Sequence, residues 1–338
     1  MKLGATEADM QAVAEAVRQR GIEPLMLPGE DRAAIGIPAA LTNDQKTDLE
    51  ALVSAMPQVS KVTQTSQPYK LASREFHPQD TIVHVKNVAI GSGTFVVMGG
   101  PCSVESYEQF LAAAQVVKAA GATILRGGAF KPRTSPYSFQ GLAKSGLEIM
   151  KQVGDAMGLV TISEVMSPDM VGLVAEYVDI LQIGARSMQN FPLLIEAGKS
   201  MKPVFLKRGP SASIDEFLLA AEYVLSQGNP QVILCERGIM AIDKGYTRNT
   251  LDLAAVPVLK EHTHLPIIVD PSHGTGVARY VAPMAKAALI SGADGVMIEM
   301  HPNPKEALSD GSQALYPDQF ANLVADLKRL AEFVGVQM

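Results

Sequence analysis

Short apolar, β-branched runs recur between residue 94 and the C-terminus, with segments of helical periodicity between them. The runs are Phe95-Met98, Thr123-Leu125, Leu159-Ile162, Asp179-Ile183, Pro203-Leu206, Gln231-Leu234, Pro266-Val269 and Gly295-Ile298. Tyr107 to Ala120 and Ile214 to Ser226 are two of the helical spacers, and Ser213-Ile214-Asp215-Glu216 opens the second as a capping box. Eight strands alternating with helices predict a (β/α)8 barrel, because parallel neighbours need a crossover helix between them. A doubly wound sheet is the competing arrangement. It would want a phosphate-binding G-x-G-x-x-G after its first strand, which is missing here, and eight regular units favour closure.

The first 66 residues follow another order. Thr6 to Asp9 resembles a capping box and opens an amphipathic run that ends at Gly21. Ile22-Leu27 and Arg32-Ile37 read as short strands around the turn Pro28-Gly29-Glu30-Asp31. A second helix is expected over Thr42-Ala55 and a strand over Val59-Thr65. This α-β-β-α-β order is a ferredoxin-like α+β unit whose first strand is reduced to Met1-Leu3. Residues 67–93, with Pro68 and Pro78, read as a linker and a hairpin turning at Lys86-Asn87, and residues 94–338 as the barrel.

Composition excludes several classes of function. The chain is 47% apolar and 19% charged, enough for a sizeable core. Its formal charge of −6 argues against a general nucleic-acid or membrane-surface role, so an anionic partner needs a local basic cluster. No apolar run reaches the roughly 18 residues of a membrane span, and the N-terminal residues lack the charged-then-apolar pattern of a signal peptide. Two cysteines make no disulfide framework, so a reducing cytoplasm is expected. Without Trp, and with 5% aromatics, a base-stacking surface is not expected either.

In a barrel the residues just after each strand form the active-site face. Here they are Gly100-Pro101-Cys102-Ser103, Arg126-Gly127-Gly128, Glu164, Gly184-Ala185-Arg186, Lys207-Arg208-Gly209, Glu236-Arg237-Gly238, Asp270-Pro271-Ser272-His273 and Glu299-Met300-His301. Packing alone has no reason to place chemistry at nearly every strand end. Arg126, Lys131, Arg133, Arg186, Lys207 and Arg237 form a basic set suited to a phosphate and a carboxylate. Cys102, His273, Glu299 and Asp310 bring thiolate, imidazole and carboxylate to the same face, a donor set for one divalent cation. Mixed S/N/O donors suit Mn2+, Fe2+, Co2+ or Zn2+ better than Mg2+ or Ca2+. Taken singly, Cys102 reads more often as a small buried residue, and Asp310 also reads as a turn residue before Gly311. Cys235 reads as core, His301 as an outer partner of the site, and His262 and His264 as surface.

Several segments resemble the 3-deoxy-D-arabino-heptulosonate 7-phosphate synthase family, in particular its branch with a small ferredoxin-like domain ahead of the barrel. They are Gly100-Pro101-Cys102-Ser103, Leu125-Arg126-Gly127-Gly128, Lys131-Pro132-Arg133-Thr134-Ser135-Pro136, Gln182-Ile183-Gly184-Ala185-Arg186, Leu206-Lys207-Arg208-Gly209, Cys235-Glu236-Arg237-Gly238 and Asp270-Pro271-Ser272-His273. The resemblance implies condensation of phosphoenolpyruvate with erythrose 4-phosphate, the first step of the shikimate route. It implies Cys102, His273, Glu299 and Asp310 as metal ligands, and Arg126, Lys131, Arg186, Lys207 and Arg237 around phosphoenolpyruvate. It implies Arg133, Thr134 and Ser135 at the aldose phosphate, and Lys131, His273 and Cys102 as the catalytic candidates. It also implies feedback by Tyr or Phe and a homo-oligomer, dimer or tetramer. The neighbouring reaction uses arabinose 5-phosphate to make 3-deoxy-D-manno-octulosonate 8-phosphate, typically with Lys-Ala-Asn-Arg-Ser where this chain has Lys131-Pro132-Arg133-Thr134-Ser135. A non-catalytic metabolite sensor on the same fold is the reading from another class.

Overall fold

A computed structural model describes residues 1–27, 33–37, 39, 41–63, 68–132, 135 and 137–338. They form two compact units, Met1–Gln79 and Asp80–Met338.

In the first unit, helix α1 (Glu7–Arg18) precedes strands β1 (Leu25–Leu27) and β2 (Ala34–Gly36), and helix α2 (Asn43–Ser54) follows. Both helices start at full capping boxes. Thr6 exchanges hydrogen bonds with Asp9, and Thr42 with Gln45. The strands pair antiparallel, with Met26 opposite Ile35. Val17, Ile22 and Leu49 form the centre of the small core. The expected strand over Val59-Thr65 is absent from its described part, residues 59–63, and the remainder lies outside the described residues. Met1-Leu3 forms no strand either. It is held by isolated bonds, from the Met1 amino group to the Ala33 carbonyl (3.0 Å) and from Lys2 N to the Gln58 carbonyl (2.9 Å). These single bonds do not make a ladder, yet they set Met1-Leu3 between β2 and the segment after α2, the place a first ferredoxin-like strand would take.

The second unit opens with a hairpin of β3 (Val83–Val85) and β4 (Val88–Ile90), with Lys86 at its turn in left-handed backbone, φ 51°. Eight parallel strands follow: β5 (Val96–Gly100), β6 (Ile124–Arg126), β7 (Val160–Val165), β8 (Ile180–Ile183), β9 (Val204–Lys207), β10 (Val232–Glu236), β11 (Ile267–Val269) and β12 (Gly295–Glu299). They close into a barrel as β12 pairs β5 from Gly295 opposite Val96 to Glu299 opposite Gly100. The outer helices are α3 (Tyr107–Ala120), α4 (Lys144–Met157), α5 (Val171–Tyr177), α6 (Phe191–Lys199), α7 (Ile214–Leu225), α8 (Ala255–His262), α10 (Ala278–Ile290) and α11 (Pro317–Val334), with the short α9 (Pro271–Thr275) capping β11.

Met98, Ile162, Phe205, Ile233, Ile268 and Met297 fill the barrel, and Val83, Val85, Val88 and Ile90 of the hairpin join the same core. That core also takes in Val96, Ile124, Val160 and Ile180, the first residues of their strands, so the hairpin seals the N-terminal mouth. Burying each such side chain contributes about 1.5–3 kcal/mol. His264, expected at the surface, is buried, and its Nδ1 lies 2.7 Å from Thr81 Oγ1 just before the hairpin. With one mouth plugged, the strand ends at the other are free to carry chemistry.

Candidate active site

A cleft with about 260 Å³ of internal space opens at the C-terminal mouth, lined by Arg126, Lys131, Arg186, Lys207, Arg237 and His273 among others. These residues come from successive strand ends, which is why segments distant in sequence converge. Arg126 is the last residue of β6 and Lys207 the last of β9, while Arg237 directly follows β10. Two glycines permit the crowding. Gly100 has φ 140°, and a Cβ there would stand 2.2 Å from the Arg126 carbonyl oxygen. A Cβ on Gly128 would meet the Cys102 carbonyl oxygen at 2.8 Å and Lys131 Cδ at 2.9 Å.

The charges separate into two kinds. Some cations are compensated: Arg126 Nη1 lies 2.6 Å from Glu299 Oε1, and Lys207 Nζ 2.6 Å from Asp270 Oδ2, with all four side chains buried. Arg237 is also buried, which depresses its pKa, yet it forms no ion pair among the described residues. It is braced from behind. Glu236 accepts the Gly238 N–H at 2.6 Å and Arg208 Nη1 at 2.9 Å, which holds the turn that presents Arg237. Arg186 is exposed and donates to the Pro132 carbonyl (2.7 Å). Arg126 keeps a further buried donor, Nε, without a hydrogen-bond partner. A buried N–H left unpaired costs about 1–3 kcal/mol, so cations and donors here await an anion.

Beside this basic wall sits an acidic cluster. Cys102, Glu299 and Asp310 each bring one donor atom within 4.8 Å of the others. His273 falls outside that group of three, but its Nε2 is 3.2 Å from Glu299 Oε1. Cys102 Sγ donates to Asp310 Oδ2 (3.1 Å) and accepts from Lys131 Nζ and Ser309 Oγ, both at 3.0 Å. Burial, then the facing Glu299, push the Cys102 thiol up to about 11. Burial depresses the pKa of His273, leaving a neutral imidazole whose Nδ1 faces Asp270 Oδ2 at 2.7 Å. A thiol, two carboxylates and a neutral imidazole fit a divalent cation, and the thiol would give up its proton on binding one.

The structure thus brings together Cys102, Arg126, Lys131, Arg186, Lys207, Arg237, His273, Glu299 and Asp310. Ser135 is exposed, accepts the Tyr137 N–H at 3.3 Å, and does not line the cleft. Arg133 and Thr134 lie outside the described residues. Three further residues carry no role in the sequence reading. Asp270 links Lys207 to His273, Arg248 stands 3.5 Å from Asp310 Oδ1, and Gln313 donates to Glu299 Oε2 at 2.7 Å. Asp270 was visible as a strand-end residue. Arg248 and Gln313 sit in loops where spacing offers no signal.

Comparison with known proteins agrees with this layout. Residues 71–334 match the DAHP synthetase I family. The phospho-2-dehydro-3-deoxyheptonate aldolase of Thermotoga maritima is 45% identical over 338 residues, covering 100% of this chain and 98% of that protein. A 2-dehydro-3-deoxyphosphooctonate aldolase of Syntrophobacter fumaroxidans is 32% identical over 256 residues, 70% of this chain and 88% of its own. The crystal structure of the Thermotoga maritima aldolase (DAHP synthase) superimposes with a TM-score of 0.80, covering 99% of this chain and 97% of that one. A truncated form of the Thermotoga maritima synthase gives 0.74 at 46% identity, over 79% of this chain and 98% of that one. With the family match spanning most of the chain and the similarity to the heptonate aldolase running from end to end, the chain belongs to the DAHP synthetase I family.

Proposed function

We propose that the chain condenses phosphoenolpyruvate with erythrose 4-phosphate and water, giving 3-deoxy-D-arabino-heptulosonate 7-phosphate and phosphate, with one divalent metal ion. The observation that carries this is the basic wall of Lys131, Lys207, Arg237 and Arg126 directly beside the Cys102–Glu299–Asp310 cluster. An anionic enol ester and an aldehyde oxygen need those two environments side by side.

In this reading Arg126, Lys131, Arg186, Lys207 and Arg237 hold phosphoenolpyruvate, and the unpaired Nε of Arg126 gains its partner. Holding the weak carbon nucleophile against the aldehyde supplies much of the rate. The C3 carbon of phosphoenolpyruvate bonds to the aldehyde carbon while the aldehyde oxygen takes up a proton. Water then adds to C2, and the C–O bond to phosphate breaks. In this reading Lys131, with Nζ 2.9 Å from the Cys102 carbonyl and 3.0 Å from its sulfur, would hold or move the proton, with His273 the other candidate. Cys102, His273, Glu299 and Asp310 would hold the metal, with Mn2+, Fe2+, Co2+ or Zn2+ suiting the donors. When bound, the ion supplies Lewis-acid polarisation of the aldehyde oxygen. Arg133, Thr134 and Ser135 are assigned to the aldose phosphate by resemblance.

The first unit is assigned to feedback by Tyr or Phe. In support, it contains a cavity with about 210 Å³ of internal space, lined by Val13, Ile35, Leu49 and Val53 together with Lys46 and Glu50. Lys61 and Lys70 line it as well, so largely apolar walls carry charges of both signs, which suits an amino acid with an apolar side chain. Phosphate release from phosphoenolpyruvate tests the main reading. Turnover is expected with erythrose 4-phosphate and not with arabinose 5-phosphate. The reverse preference would favour the octulosonate reaction, and no release with either would favour a sensor.

A further inference from the structure

Glu299 is a tightly confined carboxylate of the site. Its side chain is fully buried and both oxygens are engaged. Oε1 faces Arg126 Nη1 at 2.6 Å and His273 Nε2 at 3.2 Å, and Oε2 accepts from Gln313 Nε2 at 2.7 Å. Gln313 is itself buried, and its other amide atom, Oε1, accepts from Arg248 Nη1 at 3.2 Å. These partners fix the amide's orientation. Reversing it would set oxygen against carboxylate and N–H against guanidinium, so only one rotamer is satisfied.

The segment that delivers Gln313 is equally constrained. Asp310 sits in left-handed backbone, φ 52°, and the 3-10 turn Gly311–Gln313 follows at once, closed by the Gln313 N–H on the Asp310 carbonyl at 3.2 Å. A Cβ on Gly311 would lie 2.2 Å from the Pro304 carbonyl oxygen, so the turn is packed against its own loop. Arg248 reaches both ends of it, 3.2 Å from Gln313 Oε1 and 3.5 Å from Asp310 Oδ1.

We propose that Gln313 is a positioning residue for the metal: one tight turn supplies Asp310 as a ligand and, three residues on, the amide that aims the second carboxylate ligand, Glu299. The proposal rests on the metal reading above. A buried carboxylate held at one oxygen only would swing about its terminal bond, and each ion bound would have to arrest that motion. With Gln313 in place the arrest is built in before binding.

The test uses the full-length, metal-free protein titrated with Co2+, followed by its visible absorption and by competition with a chelator of known affinity. Gln313→Met keeps length and volume but offers no N–H. It is expected to weaken Co2+ binding by about 10–100-fold, the usual loss when an outer partner of a ligand is removed. The sulfur-to-cobalt absorption that reports Cys102 should persist at saturation, and the metal-free protein should still melt in one cooperative step. Gln313→Asn, which keeps a buried amide but is too short to hold both partners, should also bind more weakly and serves if the methionine variant does not fold. A folded variant that binds Co2+ like the wild type overturns the proposal, as does a lowered melting temperature with unchanged affinity. Wild-type protein that binds no Co2+ overturns the metal reading itself, and this inference with it.

Discussion

Asp270 Oδ2 lies 2.7 Å from His273 Nδ1. The same oxygen is 2.6 Å from Lys207 Nζ, and Oδ1 accepts the His273 backbone N–H at 3.0 Å. One buried carboxylate therefore fixes the imidazole beside the acidic cluster and a residue of the basic wall together. Burial works against its charge, but His273 and Lys207 hold it well below the usual carboxylate range, so it stays an acceptor. His273 must then carry its proton on Nδ1 and turn the Nε2 lone pair toward Glu299, the tautomer a metal ligand requires.

Asp270→Asn is expected to reverse that tautomer. With its oxygen kept on the backbone N–H, the new amide presents N–H groups to both His273 Nδ1 and Lys207. A loss of at least about 100-fold in kcat/KM is expected, the larger end of what outer partners of metal ligands contribute. Nitrogen-15 spectra of the imidazole read the tautomer directly. Wild-type kcat/KM together with an unchanged tautomer would remove Asp270 from this role.

Metal removal should abolish turnover. Exhaustive chelation, confirmed by elemental analysis, is expected to leave an inactive protein that recovers on adding Mn2+ or Co2+. Cys102→Ala and His273→Ala should not recover, while their far-ultraviolet circular dichroism stays native, since both residues lie beyond the packed strand interiors. Full activity in demonstrably metal-free protein would contradict the metal reading.

Lys207→Ala and Arg237→Ala are both expected to cost roughly 100-fold in kcat/KM for phosphoenolpyruvate, and Arg133→Ala to act mainly on the aldose phosphate. Thermal stability should separate the first two. Removing Lys207 takes away the one lysine or arginine among the described residues paired with the buried Asp270, leaving it the His273 contacts, and breaking such a pair typically costs about 3–5 kcal/mol. Arg237 forms no ion pair among the described residues, so its loss strands no carboxylate. Calorimetry should find Lys207→Ala the less stable. Equal melting temperatures would mean that the Lys207–Asp270 pair is not a stabilising contact.

A chain beginning at Asp80 should keep turnover, because every cleft residue lies in the second unit, and lose inhibition by Tyr or Phe. Initial rates with and without millimolar effector, on both chain lengths, are the measurement. Intact protein indifferent to both amino acids would leave the first unit an assembly or stabilising module.

Sequence alone determined the barrel and most of the chemistry placed on it. Strand and helix periods are local properties, so each strand showed itself within a few residues, and Cys102, Arg126, Lys207, Arg237, His273 and Glu299 could be found by looking just past those runs. Residues 59–63, the described part of the expected Val59-Thr65 strand, form none, since alternation predicts a strand only where a neighbour can pair with it, and His264, expected at the surface, is buried. What the tertiary structure alone decided is who holds whom. It decided that Asp270 serves Lys207 and His273 with one oxygen, that Arg126 is paired while Arg237 is not, that Gln313 grips Glu299, and that a hairpin plugs the far mouth. Those relations depend on angstrom-scale distances, and all but the Asp270–His273 contact join residues more than ten positions apart. Chain periodicity carries no information about them, because hydrogen bonds and buried charges select their partners in space.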